Sequence, residues 1–177
     1  SSASSGDISE STVCIAPHDR DTITLDTEHE AAMAAMAQGQ VARDRITGLL
    51  FDVAAARWPR RWRSLQPLPV RFASWVGYDM DGRTDIGWAT SIRYRMIEKA
   101  RRLAGYAQSL SEAAPAIAGR LARAGYRTEE MVAIFAQALT DPAALSAAAN
   151  TLTADHPDRL VSLTPIIAEL EAEARDA

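Results

Sequence analysis

Apolar residues recur every three to four positions over most of this chain, and alanine fills many of the remaining places. This spacing predicts amphipathic helices, whose ends are indicated by capping residues, prolines and glycines. Gly125 is expected to stop one helix, and Thr128 is expected to begin the next as a capping residue. Helices are predicted over residues 27–58, 89–110, 111–124, 131–139, 142–150 and 158–174.

Two short runs of apolar residues have a different character. Residues 11–16 and 70–76 are rich in β-branched or aromatic side chains and are bounded by proline or glycine. Such runs predict buried strands, and each would deliver a polar loop at its end. Because two strands do not make a stable sheet alone, the missing strands must come from another chain or from a further segment.

Length and composition change this picture little. The chain has 177 residues and a net charge of −4, which favours neither nucleic acid nor an anionic membrane as partner. The single cysteine suits a reducing cytoplasm, and no apolar run approaches membrane-spanning length. We expect a flexible lead over residues 1–10, a first region over residues 11–124 and a C-terminal helical region over residues 125–177.

A basic segment follows the first long helix. Two tryptophans, Trp58 and Trp62, interleave with arginines at positions 57, 60, 61 and 63. Such a segment can bind an anion, but aromatic residues at helical spacing are more often part of a core. We expect both tryptophans to pack inward while the arginines are solvated or pair with nearby carboxylates.

The candidate chemistry lies after the second predicted strand. Asp79 and Asp81 stand two residues apart in a loop that contains Gly77 and Gly82. Two neighbouring carboxylates repel each other unless a cation compensates them, and Arg83 is the nearest candidate in sequence. His29 and His156 are not expected to be ligands: no partner is predicted for His29, and His156 is assigned to a turn.

Two interpretations of the loop use general motifs. In a calcium loop of the EF-hand type, Asp79, Asp81 and Gly82 would take positions 3, 5 and 6, but the first ligand and the closing glutamate are missing. An aspartyl-phosphate phosphatase has a similar D-x-D-G-T loop, with Arg83 here in the place of its threonine. That class also needs a doubly wound sheet and a later lysine, whereas Lys99 lies in a predicted helix.

A third interpretation accounts for more residues. Phe72, Ser74, Trp75, Val76, Gly77, Asp79, Asp81 and Gly82 match, in order and spacing, the motif F-G-S-W-[MI]-G-G-D-R-D-G-N-P of phosphoenolpyruvate carboxylases. Tyr78, Met80 and Arg83-Thr84 differ from that motif. The segment Ala16-Pro17-His18 resembles the T-A-H-P-T motif of the same family, with proline and histidine exchanged. In that family, as here, the acidic loop leads into a long helix.

This resemblance implies a fold and an activity. The chain would be mainly α, with helices around one or two short parallel strands that form part of a phosphoenolpyruvate carboxylase-like α/β barrel. The reaction would convert phosphoenolpyruvate and bicarbonate to oxaloacetate and phosphate with Mg²⁺, whose ligands would lie outside this chain. The remainder of the barrel would be the chain's partner, in a homo-oligomer.

The resemblance also assigns roles to residues. His18 would be the catalytic candidate, while Asp79, Asp81 and Arg83 would form a loop that supports the site. Either the chain is a fragment or subunit of such a carboxylase, or it is a non-catalytic helical interaction module derived from that scaffold. The exchanged Pro17-His18 order and Met80 favour the second hypothesis if the chain is whole.

Overall fold

A computed structural model describes residues 23–68, 70–79, 81 and 83–176, and the part it describes is mainly helical. Two short 3₁₀ turns, Trp62–Ser64 and Pro142–Ala144, lie in the connections. The helices are α1 (Leu25–Arg57), α2 (Trp88–Leu110), α3 (Pro115–Thr140), α4 (Leu145–Thr153) and α5 (Thr164–Asp176).

Helices α2 and α3 form the centre of the fold. Leu103 of α2 packs with Ile117 and Leu121 of α3, and all three side chains are buried. Ile166 of α5 covers this cluster from one side. At the other end of α3, Phe135 is fully buried against Ala148 of α4. The short C-terminal helices therefore complete the core that the α2–α3 pair begins.

The predicted break at Gly125 is wrong, because α3 continues through it. Gly125 is buried, and a Cβ built on it would lie 3.6 Å from Leu103 Cβ. This distance is an ordinary van der Waals contact, so Gly125 lies within the packed interface between α2 and α3. Thr128 is not a cap either: it is buried within α3, and its hydroxyl donates to the Ala124 carbonyl. The predicted domain boundary after residue 124 falls inside this helix.

Helix α1 begins two residues before its predicted start. Thr24 is the N-cap, and its hydroxyl accepts a hydrogen bond from the Thr27 backbone amide at 3.2 Å. The helix is connected to α2 mainly by long polar side chains. The second half of α1 leaves four large apolar side chains exposed to solvent, namely Ile46, Leu49, Leu50 and Val53.

The predicted strand over residues 70–76 is wrong, because the described residues there have no regular structure before a turn at 76–78. No strand occurs anywhere in the described ranges, so this segment has no edge to pair with. Its apolar side chains meet a helix instead: the Phe72 ring lies 2.7 Å from the position that a Gly39 Cβ would take. The predicted strand over residues 11–16 lies outside the described residues.

The boundaries near the C-terminus differ in detail from those predicted. Asp141 acts as a cap, accepting from the Ala143 amide at 3.0 Å, but it opens a 3₁₀ turn before α4 begins. Helix α5 begins at Thr164 rather than near residue 158. The intervening residues include a turn in which His156 Nδ1 accepts from the Asp158 amide, as the turn assignment of His156 requires.

The basic segment also differs from its prediction. Trp58 does not pack inward, since its side chain is 54% exposed. Trp62 is half-buried and meets Phe51 edge-on, with ring centroids 6.0 Å apart. Among the described helices, none is both long enough and apolar enough to cross a membrane.

Candidate functional site

A tight turn places the acidic loop at the start of α2. The amides of Tyr78 and Asp79 both donate to the Trp75 carbonyl, at 2.9 and 3.3 Å. Gly77, in the middle of this turn, has a φ of 82°, a region that side-chain-bearing residues rarely adopt. The Ser74 hydroxyl accepts from the Val76 amide at 3.2 Å. The sequence therefore encodes the turn through a serine and a glycine at fixed positions.

Two residues of helix α2 contact this turn. The Ser91 hydroxyl donates to the Gly77 carbonyl at 2.7 Å, one turn into the helix. Tyr94 lies directly under Gly77, and its ring occupies the space that any side chain at position 77 would need. The loop is thus fixed by a backbone contact and a packing contact to the same helix face.

Glu98 of α2 contacts both the loop and α1. Its Oε1 accepts a hydrogen bond from the Tyr78 hydroxyl at 2.8 Å and lies 3.3 Å from His29 Nε2. The Arg95 guanidinium stacks over the Tyr78 ring at 4.5 Å. Burial, and then the bond to Glu98, raise the pKa of the Tyr78 phenol. One carboxylate therefore ties the loop, α1 and α2 together.

His29 was predicted to have no partner, and this prediction is wrong. The side chain is 1% exposed and stacks on Tyr94, with ring centroids 4.1 Å apart. Tyr94 in turn donates its hydroxyl to Asp26 at 2.7 Å. No local signal could have revealed this network, because His29 and Glu98 are 69 residues apart in the chain.

The first turn of α1 carries an ion pair beside this network. Asp26 accepts from both Tyr94 and the Arg93 guanidinium, the latter at 2.8 Å. These two bonds, Tyr94 first, lower the pKa of the Asp26 carboxyl. Burial raises the pKa of the Tyr94 phenol, and the bond to Asp26 adds to that effect. Asp26 therefore stays ionised and Tyr94 stays protonated at neutral pH.

Arg83 does not compensate Asp79 and Asp81 as predicted. It pairs with Asp85 at 2.7 Å and with Glu28 at 3.1 Å, and these partners raise its pKa. The Asp79 carboxylate instead accepts from the Asp81 amide at 3.2 Å, and both aspartates are exposed. Both carboxylates are therefore exposed to solvent, and Arg83 pairs with neither. His18, the predicted catalytic residue, lies outside the described residues.

A cavity of about 610 Å³ lies between this loop and the start of α1. Its walls are largely apolar, with Ile23, Trp75 and Ile86 among them, and the charged groups at the site are Glu28, Asp79 and Arg83. Arg83 is engaged by two carboxylates, and Asp79 lies in solvent. The cavity can therefore admit a small apolar group, but it holds no paired acid and base for proton transfer.

The described residues do not fit a magnesium site. Magnesium prefers several converging oxygen ligands, whereas no cluster of three or more ligating side chains exists in the described part of the chain. For the same reason, the described residues around Asp79 and Asp81 do not form a calcium site. The phosphatase interpretation lacks its sheet, since the described ranges contain no strand.

Comparisons with protein-family models, with curated proteins and with solved structures found no match to this chain.

Proposed function

We propose that this chain is the loop-bearing helical part of a phosphoenolpyruvate carboxylase-like protein, in which it supports the fold around the active site. The parent protein would convert phosphoenolpyruvate and bicarbonate to oxaloacetate and phosphate in the cytoplasm. Mg²⁺, its ligands and the remaining barrel strands would come from outside the described residues. His18 would be this chain's catalytic contribution, and Asp79, Asp81 and Arg83 its supporting loop.

One observation carries this proposal: residues that match the family motif are those that shape the loop. Gly77 provides the positive φ, Ser74 accepts from the turn, and Asp79 accepts from the amide of the next motif aspartate. Positions that differ from the motif, such as Tyr78, make contacts particular to this chain. If the two loops share a backbone conformation, the motif residues that they share should be those that determine it.

A chimera tests the proposal directly. Residues 72–110 would replace the corresponding segment of an active phosphoenolpyruvate carboxylase, and oxaloacetate would be measured by coupled reduction to malate. We expect a folded oligomer that retains turnover, and Met80→Arg in the graft should raise that turnover by restoring the motif arginine. Gly77→Val in the same graft should abolish it. A chimera that keeps the host's helix content and oligomeric state but forms no oxaloacetate would refute the proposal.

The isolated chain should not catalyse the reaction. The family's metal carboxylates and phosphoenolpyruvate-binding arginines have no counterpart in its sequence. With phosphoenolpyruvate, bicarbonate and Mg²⁺, we expect no oxaloacetate above the rate without protein. Turnover by the chain alone would contradict the proposal that the metal ligands and the remaining barrel come from elsewhere.

A second candidate function is a non-catalytic helical interaction module. The exposed apolar side chains on α1, with Leu49 and Val53 each 65% exposed, favour it. Exposed apolar patches of this kind mark contact surfaces. The chimera separates the two candidates, because a module derived from that scaffold that has lost its chemistry would fold within the host without restoring oxaloacetate production.

A further inference from the structure

Helices α1 and α2 enclose a long groove that the proposed function does not use. Its volume is about 960 Å³, and residues 72–74 contribute to its lining. On α1 its lining runs from Glu30 to Asp44, and on α2 from Arg95 to Ser109. Each range covers fifteen residues, and a helix of that length spans about 21 Å from its first to its last residue. The groove therefore has the length of about four helical turns.

Three methionines give the α1–α2 groove an adaptable apolar lining. Met33 and Met36 of α1 and Met96 of α2 all line it, and all three side chains are partly exposed. Methionine is unbranched and polarisable, so methionine-lined grooves adapt to apolar side chains of different shapes. An amphipathic helix that docks in such a groove inserts residues spaced at i, i+3, i+4 and i+7.

The groove is positively charged although the chain as a whole carries −4. Its lining has five cationic and three anionic side chains. Arg102 donates to the neutral amide of Gln40 rather than to a carboxylate. Arg95 has a carboxylate partner, Glu98, but at 3.7 Å and with the arginine side chain 68% exposed. An excess of cations among apolar lining residues complements a partner that combines apolar and acidic residues.

We propose that the α1–α2 groove binds an acidic amphipathic helix of about four turns that belongs to a partner protein. Its apolar residues would contact the three methionines, and its carboxylates would pair with Arg95 and Arg102. The inference does not depend on the carboxylase proposal, because it uses none of the loop residues after Ser74. It identifies the partner by chemistry: apolar side chains on one helical face and glutamates or aspartates beside them.

Fluorescence polarisation with designed peptides tests this proposal. Three labelled 15-residue peptides would be compared: a leucine–glutamate amphipathic helix, the same peptide with lysine in place of glutamate, and a scrambled form of the acidic peptide. We expect the acidic helix to bind at least tenfold more tightly than the other two, and to weaken as salt is raised. Equal affinities for the acidic and scrambled peptides, or tighter binding of the lysine peptide, would overturn the proposal.

Charge variants locate the binding. The double variant R95E/R102E should bind the acidic peptide at least tenfold more weakly and the lysine peptide more tightly than the parent protein does. The matched control R60E/R61E makes the same charge change on exposed residues outside the groove and should alter affinity less than threefold. Comparable losses in both double variants would show nonspecific charge attraction and would overturn the site.

A third variant guards against loss of the fold. Gln40→Glu gives Arg102 a carboxylate partner within the chain, which should preserve the helix content measured by circular dichroism. Because that carboxylate competes with the peptide for Arg102, the variant should bind the acidic peptide severalfold more weakly. An unchanged affinity in this folded variant would contradict the proposed role of Arg102.

Discussion

The ring of Tyr94 packs so closely against Gly77 that a Cβ on Gly77 would lie 2.8 Å from Tyr94 Cε2. The backbone at Gly77 also has a φ of 82°. A side chain at this position thus faces two separate costs, one from its own backbone and one from its neighbour. The acidic loop depends on a residue without a side chain at this point.

Gly77→Ala should therefore destabilise the protein. The positive φ costs about 1–2 kcal/mol and the overlap with Tyr94 about 1–3 kcal/mol, so a total of about 2–5 kcal/mol is expected. Urea unfolding followed by circular dichroism measures it. The double variant with Tyr94→Ala should relieve the overlap but not the backbone cost. If Gly77→Ala left the free energy of unfolding unchanged, Tyr94 would not be packed closely against Gly77.

Two glycines of α1 should respond oppositely to the same substitution. Gly48 has nothing within 4 Å of its Cβ position, so Gly48→Ala should stabilise by about 0.5–1 kcal/mol through helix propensity. At Gly39 a Cβ would lie 2.7 Å from the Phe72 ring, which must shift. Gly39→Ala should consequently lose this gain or become destabilising. Paired thermal melts give the comparison, and equal stabilisation at both sites would show that Phe72 does not rest on α1.

Glu98 should matter more than either of its partners. Tyr78→Phe removes one hydrogen bond and should cost about 1 kcal/mol. Glu98→Leu leaves both Tyr78 and the buried His29 without their shared acceptor, which should cost about 2–4 kcal/mol. Urea titrations of the two variants and of the double variant measure the coupling. Strictly additive effects would mean that Glu98 and Tyr78 do not interact.

The correct predictions concern features that are determined by residues close together in the sequence. Helices α1 and α2 follow from apolar spacing and end within two residues of their predicted limits. Errors arose where a distant segment decided the outcome. Gly125 looked like a helix stop, but it lies buried within α3 beside Leu103 of another helix. Residues 70–76 looked like a strand because they are apolar, yet Phe72 lies against α1.

The candidate site was predicted only in part, for the same reason. The turn at Gly77 follows from the glycine itself, which a tight turn with positive φ requires. Arg83 has one distant partner, Glu28, 55 residues away in sequence, but its shorter bonds go to Asp85, only two residues away, which the prediction overlooked. His29 and Glu98 carry no pattern that links them, and their meeting depends on how α1 lies beside α2.

The core around Phe135 should carry much of the stability. Phe135 is fully buried between α3 and α4 and meets Trp88 edge-on at 6.2 Å. Phe135→Ala should cost about 3–5 kcal/mol, through lost burial and the cavity left behind. Tyr126→Ala, on the same helix but at a side chain 67% exposed, should change stability by less than about 0.5 kcal/mol. Similar losses in the two variants would contradict the orientation of α3.

Asp26 should make the fold sensitive to acid. Its pKa in the folded chain is lowered from 3.8 by the bonds from Tyr94 and Arg93. A carboxyl with a depressed folded pKa contributes stability above its unfolded pKa and loses that contribution as pH falls through the folded value. Because the side chain is 62% exposed, we expect no more than about 1 kcal/mol.

Asp26→Asn isolates this effect from the other carboxylates. The variant should be less stable than the parent at pH 6, and the difference should shrink as pH falls through the range below 3.8. Urea midpoints measured at pH 6, 4 and 2.5 give the comparison, with Asp52→Asn as a control on an exposed carboxylate of the same helix. A stability difference that stayed constant down to pH 2.5 would mean that the charge of Asp26 does not stabilise the contact between α1 and α2.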